Sequence, residues 1–318
     1  MFDLLIQNGD TIYSPVVTEG VTLDLERKQA GKLTFSVVKD SVINFTEGNS
    51  VSLRVDDHKL FYGFVFSKQR DKGNTIKVTA YDQMRYLKNE DVYKYTNMTA
   101  SDVVKMIAED FKLQVGNVEN TGYVIPKYLE DTKASLLDII LDALDETLTQ
   151  TKKLYVLYDD FGKLALQNVE NMKLDLLIDE ESGENFDYTS SIDDKTYNRI
   201  KVTYENEETG KRDVFMAQDG EHINLWGILQ MYDTVKNPDN GKAKADALLS
   251  LYNQKTRKLQ IKNAFGDCRV RAGSAVVVKL NLGDIVVGNY MMVEKVKHSF
   301  NESLHQMDLT LRGGEFLA

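Results

Sequence analysis

The hydrophobic period of this chain changes twice, and those changes limit what it can fold into. Leu23 and Leu25 begin a run in which apolar and polar residues alternate. Leu33, Phe35 and Val37 continue it after a turn at Gly31, and Val51, Leu53 and Val55 follow. The turn-like Asp56-Asp57-His58 leads to residues 61–66, and Asp71-Lys72-Gly73-Asn74 leads to residues 76–81. A period of two, broken by short polar turns, predicts a small antiparallel sheet or barrel.

From Thr99 the period becomes helical. Val103, Val104, Ile107, Ala108 and Phe111 share one helix face, and Thr99 or Ser101 supplies the N-cap oxygen. A second helix is predicted over 135–149. Its apolar stripe is Leu136, Leu137, Ile140, Leu141, Leu144 and Leu148, with Asp138, Asp142, Asp145 and Glu146 opposite. A hairpin follows, strands 154–158 and 163–167 around Asp159-Asp160-Phe161-Gly162. From about Phe186 the period of two returns: Ile200, Val202 and Tyr204 alternate, residues 206–211 read as a turn, and 214–216 as the answering strand. An Ala- and Leu-rich helix interrupts at 241–255, before strands at 259–261, 274–278, 284–287, 290–296 and 306–311. The expected division is a β domain over 1–92, an α+β insert over 93–182 and a second β domain over 183–318. The expected class is α+β, mainly β.

The two β regions read as copies. In the first, Glu47-Gly48-Asn49-Ser50-Val51 leads to residues 60–65 and then 76–81. In the second, Leu282-Gly283-Asp284-Ile285-Val286 leads to residues 290–296 and then 306–311. Each has a Gly-Asn or Gly-Asp turn, a hydrophobic strand, a polar loop and a closing alternating strand. Three such chains would set six similar units about one axis, and closed rotational symmetry is the usual way homo-oligomers satisfy their interfaces.

Composition removes several function classes. The chain has 318 residues, 42% hydrophobic and 28% charged, the balance of a globular protein with two or three domains. No apolar run approaches the roughly 20 residues of a membrane helix. Residues 1–9 lack the basic start and apolar centre of a signal peptide, so folding in a cytoplasm is expected. The net charge of −10 argues against a nucleic-acid binder. A negative wall repels phosphate and suits passage of DNA better than binding. The three prolines rule out long Pro-rich linkers.

Catalytic patterns are sparse. His58, His222, His298 and His305 show no zinc spacing, although His298 and His305 flank a predicted hairpin turn and can face each other as a cross-strand polar pair. Cys268, the single cysteine, has no internal disulfide partner; a nucleophilic role would need a histidine and an orienting group nearby. There is no Gly-x-Ser-x-Gly elbow and no phosphate-binding glycine loop. The doublets Asp159-Asp160 and Asp193-Asp194 read as solvated turns, Asp179-Glu180-Glu181 with Glu184 as an acidic loop, and Gly313-Gly314 as a turn after the last strand. Trp226 and Tyr232, among sixteen tyrosines, suit an interface or core better than sugar stacking. No catalytic, cofactor or metal residue is assigned.

The order of certain segments resembles a known family. They are Val78-Thr79-Ala80-Tyr81-Asp82, Thr99-Ala100-Ser101-Asp102-Val103-Val104, Leu154-Tyr155-Val156-Leu157-Tyr158 with Gly162, and Asn198-Arg199-Ile200-Lys201-Val202. Gly283-Asp284, Gly288-Asn289-Tyr290, His298 and Met307-Asp308-Leu309 complete the set. The pattern resembles the baseplate hub proteins of contractile phage tails, PBSX-type defective prophages and phage-tail-like bacteriocins. The resemblance implies two tail-tube-like antiparallel β-barrel or sandwich domains and a homotrimer that presents a pseudo-sixfold ring to the tail tube or its initiator. It also implies a central spike on the opposite face, contacts with baseplate wedge proteins, no catalytic residues and a place in a virion or tail-like particle. Edge strands would pair or pack between subunits, and part of the acidic charge would line a channel. Two alternatives stay open: a tail-associated peptidoglycan hydrolase, which needs a cleft with two carboxylates and a raised pKa, and a cell-surface glycan-binding module.

Overall fold

The computed structural model describes residues 2–70, 72–129, 132–193, 195–206, 209–235, 238, 241–281, 286–301 and 304–313. It is α+β and mainly β. One 13-stranded sheet runs through both β regions. The first unit contributes Phe2–Asn8, Val17–Glu26, Lys32–Val38, Ser50–Val55, His58–Arg70 and Thr75–Tyr81, plus the short Thr11–Tyr13. The second contributes Lys173–Ile178, Asn185–Ser191, Thr256–Phe265, Ala275–Asn281, Val286–Asn301 and Leu304–Gly313. Counted along each unit without Thr11–Tyr13, the strands lie side by side in the order 2-3-6-5-4-1 in both.

The likeness extends to single residues. Strand five of the first unit pairs with strand six through Val65 and Ala80, skips Phe66, and resumes at Ser67 and Thr79. The second unit pairs Val293 with Leu311, skips Glu294, and resumes at Lys295 and Thr310. A bulge thus sits at the same place in both. Just before it, Val65 exchanges backbone hydrogen bonds with Gly48 and Asn49, as Val293 does with Gly273 and Ser274. Gly48 and Gly273 both have positive φ, 88° and 96°, which a side chain would strain.

This register corrects the sequence alignment of the copies. The counterpart of Gly48-Asn49 is Gly273-Ser274, not Gly283-Asp284. Ser50–Val55 corresponds to Ala275–Asn281, since Ser50 pairs with Phe64 as Ala275 pairs with Met292. Residues 282–285, where the sequence reading set its glycine turn and part of strand 284–287, lie outside the described residues. From Val286 one strand runs without a break to Asn301. The Ala275–Asn281 strand was overlooked as a counterpart because Ala275, Val276, Val277 and Val278 are all apolar and hide the alternation.

Two sequence groupings change. Arg199–Glu205 and Arg212–Gln218, read as part of the second β domain, form a separate three-stranded sheet with Gln230–Thr234. With α3 (Gly220–Trp226) and α4 (Gly241–Tyr252) it fills the interval between strands two and three of the second unit. Lys173–Ile178, read as insert, pairs with Ala275–Asn281 and is parallel to it, whereas Phe2–Asn8 is antiparallel to Ser50–Val55.

The insert has its own core. Val103, Val104 and Ile107 of α1 (Ala100–Asp110) pack with Leu136, Ile139 and Ile140 of α2 (Leu136–Thr151) and with Leu164 and Leu166. Thr99 caps α1: its hydroxyl accepts from the Asp102 N–H at 3.2 Å, and the Asp102 carboxylate accepts from the Thr99 N–H at 3.1 Å. On α2, Ile139 is buried and Leu148 only half-buried, so its inner face is rotated slightly from the stripe read in the sequence.

Candidate functional site

Where function lives in interfaces, the informative place is the seam at which the two β units meet. Val286–Asn301 outruns its partner Ala275–Asn281, and its far half pairs antiparallel with Val17–Glu26 of the first unit. Lys295 lies opposite Glu26, Lys297 opposite Asp24, His298 opposite Leu23 and Phe300 opposite Val21. Opposite charges across the strands favour this register. Lys295 Nζ reaches Glu26 at 3.1 Å, and Arg27 Nη1 donates to Glu294 Oε1 at 2.7 Å. Phe300 is 2% exposed and belongs to the first unit's core, while Leu25 packs against the second unit's core. At Gly20 a Cβ would come within 2.6 Å of the Phe300 carbonyl oxygen, so only glycine lets the strands meet there.

A line of hydrogen bonds supports the seam. His298 Nε2 lies 3.0 Å from the Val270 carbonyl, which can only accept, so this nitrogen carries the proton. His298 Nδ1 then accepts from His305 Nε2 at 2.9 Å, and His305 Nδ1 is left as an acceptor facing Cys268 Sγ at 3.9 Å. The cross-strand histidine pair read from the sequence is present. Burial, with His305 beside it, pushes His298 down to about 3; burial also lowers His305. Both rings are therefore neutral near pH 7. The structure also brings a histidine to Cys268. Burial, then the charges of Asp267 and Asp56, push that thiol up, which keeps it protonated and unreactive.

The insert's hairpin, Tyr155–Asp159 and Leu164–Asn168, braces both β units. Its tip places Phe161 5.7 Å from the Tyr62 ring of the first unit, with Arg54 over the other ring at 5.4 Å. Its base packs Val156 against Ala275 and Met292 of the second. Arg271 from the second unit lies 4.3 Å over the Tyr158 ring and 3.7 Å from Asp160. Behind this contact two carboxyls are buried. Asp82 accepts from the Gly31 N–H at 2.8 Å and the Met84 N–H at 3.0 Å, yet burial and Asp159 raise its pKa well above the carboxylate range. Burial raises Asp159 to about 6. Its Oδ2 is buried with no hydrogen-bond partner among the described residues.

The raised carboxyl pKa is one of the two things a hydrolase reading asked for; the other is a cleft. A hollow of about 20 Å³ lies between Arg27, Leu137, Leu141 and Asp145, and neither Asp82 nor Asp159 lines it. Of the other sequence candidates, Asp193 is described but Asp194 is not, and Gly314 likewise lies outside the described residues. Asp179 forms a turn with Ser182, its Oδ1 accepting from the hydroxyl at 2.6 Å. Glu184 bonds Asn263. His58 sits at the start of its strand, in the turn from Val55. Trp226 stacks on His222 at 4.0 Å, which occupies one ring face, and Tyr232 donates to or accepts from Thr203 at 2.7 Å. Among the described residues no group of three or more His, Cys, Asp or Glu is placed to hold a metal, and no helix is long and apolar enough to cross a membrane.

The chain is similar to known proteins in sequence and in fold. A family model described as YQBQ-like matches residues 21–312. The chain is 30% identical over 312 residues to the uncharacterised protein YqbQ of Bacillus subtilis (strain 168), covering 94% of this chain and 93% of that one. It is 28% identical to the phage-like element PBSX protein XkdQ of the same organism, covering 94% of each. Among solved structures, the 43 kDa tail protein of prophage MuSo2 from Shewanella oneidensis superposes with a TM-score of 0.72 at 10% identity, over 99% of this chain and 100% of that one. The E. coli c3393 protein, a type VI secretion component described as similar to T4 gp27 and gp5, gives 0.59 at 11% identity, over 99% and 78%. The fold is that of phage tail proteins, and the resemblance to PBSX-type proteins read from the sequence is met by a full-length relative.

Proposed function

The chain belongs to the YQBQ-like family, and from that premise we propose that it is a structural subunit of a phage-tail-type particle. More finely, it is the baseplate hub, a trimer whose six β units form a pseudo-sixfold ring between the tail tube and the central spike. The observation that carries this reading is the pair of units with one strand order, 2-3-6-5-4-1, joined edge to edge in a single sheet. A chain that needed only a stable fold has no use for two such units in series. A threefold object that must match a sixfold tube has. Its division into 1–92, 93–182 and 183–318 belongs to the same proposal, with Lys173–Ile178 assigned to the second unit's side. The insert is its brace, wall charge lets DNA pass without binding, wedge proteins meet its outer surface, and assembly takes place in the host cytoplasm.

The test is to isolate tail particles from cells expressing the surrounding tail genes and to count this chain against the tube subunit. Three copies at the tube's end, in a ring with two alternating kinds of unit, is the expected result. Absence from particles, or six copies, overturns it. A basic or apolar channel wall would remove the passage argument alone. Non-enzymatic function is checked separately: purified chain should leave peptidoglycan unchanged, and an Asp159→Asn-sensitive clearing of cell wall would reverse the reading.

A further inference from the structure

The internal seam is half of a pattern that the chain leaves unfinished. In the second unit, the far half of strand five receives strand two of the first unit. In the first unit, the far half of strand five, Ser67 to Arg70, has no strand on that side among the described residues. In the second unit, strand two, Asn185–Ser191, pairs with Thr256–Phe265, and among the described residues no strand lies on its other edge. The two bare edges are equivalent to the two edges already joined.

The register follows residue by residue. The shared bulge makes Ser67, Lys68, Gln69 and Arg70 the counterparts of Lys295, Val296, Lys297 and His298. Pairing with strand three makes Tyr188, Thr189, Ser190 and Ser191 the counterparts of Leu23, Asp24, Leu25 and Glu26. We infer that His58–Arg70 of one copy pairs antiparallel with Asn185–Ser191 of a second copy of this chain, with Ser67 opposite Ser191, Lys68 opposite Ser190, Gln69 opposite Thr189 and Arg70 opposite Tyr188.

Two observations fit this occupant. Phe186 is 39% exposed at the bare edge, whereas its counterpart Val21 is 1% exposed because Phe300 covers it across the seam. An aromatic is left open where its twin is covered, and the same register continued past Arg70 sets Lys72 opposite it. The edges also differ in charge: Arg70 lies on one, where Lys68 is already held by the Phe45 carbonyl and Glu47, and Asp187 lies on the other. Such a contact joins unlike surfaces, so it either closes into a ring or grows into a filament. Closure at three copies rests on the hub reading; the pairing itself needs only a second copy.

Cysteine cross-linking on the full chain tests it, with Cys268→Ser as background. Gln69→Cys with Thr189→Cys should give oxidised species up to the trimer. A mixture of the two single variants should stop at the dimer, which shows that the bond is between copies. Gln69→Cys with Ser191→Cys, two positions out of register, should remain monomeric, because such Cα atoms stand too far apart for a disulfide. A second pair of variants reads the same contact without cysteine. Gln69→Asp with Thr189→Asp sets like charges opposite and should abolish the oligomer, and Gln69→Lys with Thr189→Asp, which copies the Lys297 and Asp24 pair, should restore it. Both sets are read on the concentrated chain and in assembled particles. No in-register cross-link in either, or equal cross-linking out of register, overturns the pairing. If the chain takes its place in particles without that cross-link, the hub reading survives and the pairing does not. In-register cross-links in a chain that never enters a particle would leave the pairing and remove the hub.

Discussion

The first and second β units share strand order, bulge and glycine turn, yet differ at the joint between strands two and three. In the first unit that joint is the short turn from Glu26 to Lys32. In the second it is the stretch 192–255, with its own three-stranded sheet, α3 and α4. The same fold has therefore been kept where strands meet strands and freely extended where a loop faces outward, as loops tolerate insertion better than ladders do. The addition buries a small core of its own around Ile200, Val202 and Leu248, yet leaves Leu225 68% and Ile228 54% exposed. The apolar seam residues Val21, Leu23, Val296 and Phe300, by contrast, are closed off. The two regions differ in what they already have as partners: the seam has one within the chain, the outer edge does not.

The largest effect should come from emptying the seam. Phe300→Ala removes a ring from the first unit's core and should cost about 3–5 kcal/mol in denaturant unfolding. Phe186→Ala, on the equivalent edge and 39% exposed beside Ile261, should cost the isolated chain about 1 kcal/mol or less. Equal costs at the two positions would break the comparison.

The next effect is pH-dependent and distinguishes the seam from the brace. His298 has a folded pKa near 3 against an ordinary 6.5, so the unfolded chain takes up more protons between those values. Stability from this group is complete above about 6.5 and falls as pH drops toward 3, by roughly 2–3 kcal/mol at pH 4.5. Asp159 acts in the opposite sense. Its folded pKa of about 6 exceeds the ordinary 3.8, so the folded chain binds more protons between them and stability rises as pH falls through that window. Asp82 has the same sign. Acid titration of the unaltered chain should therefore be shallow. His305, also lowered by burial, acts in the same sense as His298, so His298→Gln should fall less between pH 6.5 and 4 than the unaltered chain, and an equal fall in both would refute the assignment. Asp159→Asn should gain on the order of 1 kcal/mol at pH 7.5, less than the full shift because an attraction to Arg271 is lost with the charge, and the gain should vanish near pH 4.

Much of the fold was legible because alternation survives wherever one face of a strand is buried. Leu33, Phe35 and Val37 are buried, with Thr34 half-buried and Ser36 a buried polar residue between them, and the helices announced themselves through Thr99 and through the Leu136 to Leu144 stripe. The joining of the two units was not legible. Nothing in the residues 295–300 says which strand will meet them, because a pairing between residues more than 250 positions apart is fixed by register and burial in three dimensions. The histidine pair was readable since its members straddle one hairpin; Cys268 beside His305, and Asp82 near Asp159, come from separate elements and leave no spacing to read. The first strand, Phe2–Asn8, is not legible in the sequence although Leu4 and Ile6 alternate in burial with less buried neighbours, because Leu5 fills the position between them with another apolar residue.

The smallest effect concerns the charges on the seam. Lys295 and Glu26 are 46% and 49% exposed at the side chain, so water screens most of their attraction. Arg27 and Glu294, at 13% and 26%, are better shielded, and the Arg27 N–H also donates to the Glu294 carbonyl. Lys295→Ala should cost about 0.2–1 kcal/mol and lose even that in high salt. Arg27→Ala should cost more, since it leaves Glu294 half-covered without its cation and removes the side-chain stem that packs beside it. A double-mutant cycle on each pair reads the coupling directly. If Lys295 and Glu26 prove as strongly coupled as Arg27 and Glu294, charge rather than apolar burial selects the register, and the neutral Gln69 and Thr189 edge would then pair more weakly between copies than the seam does within one.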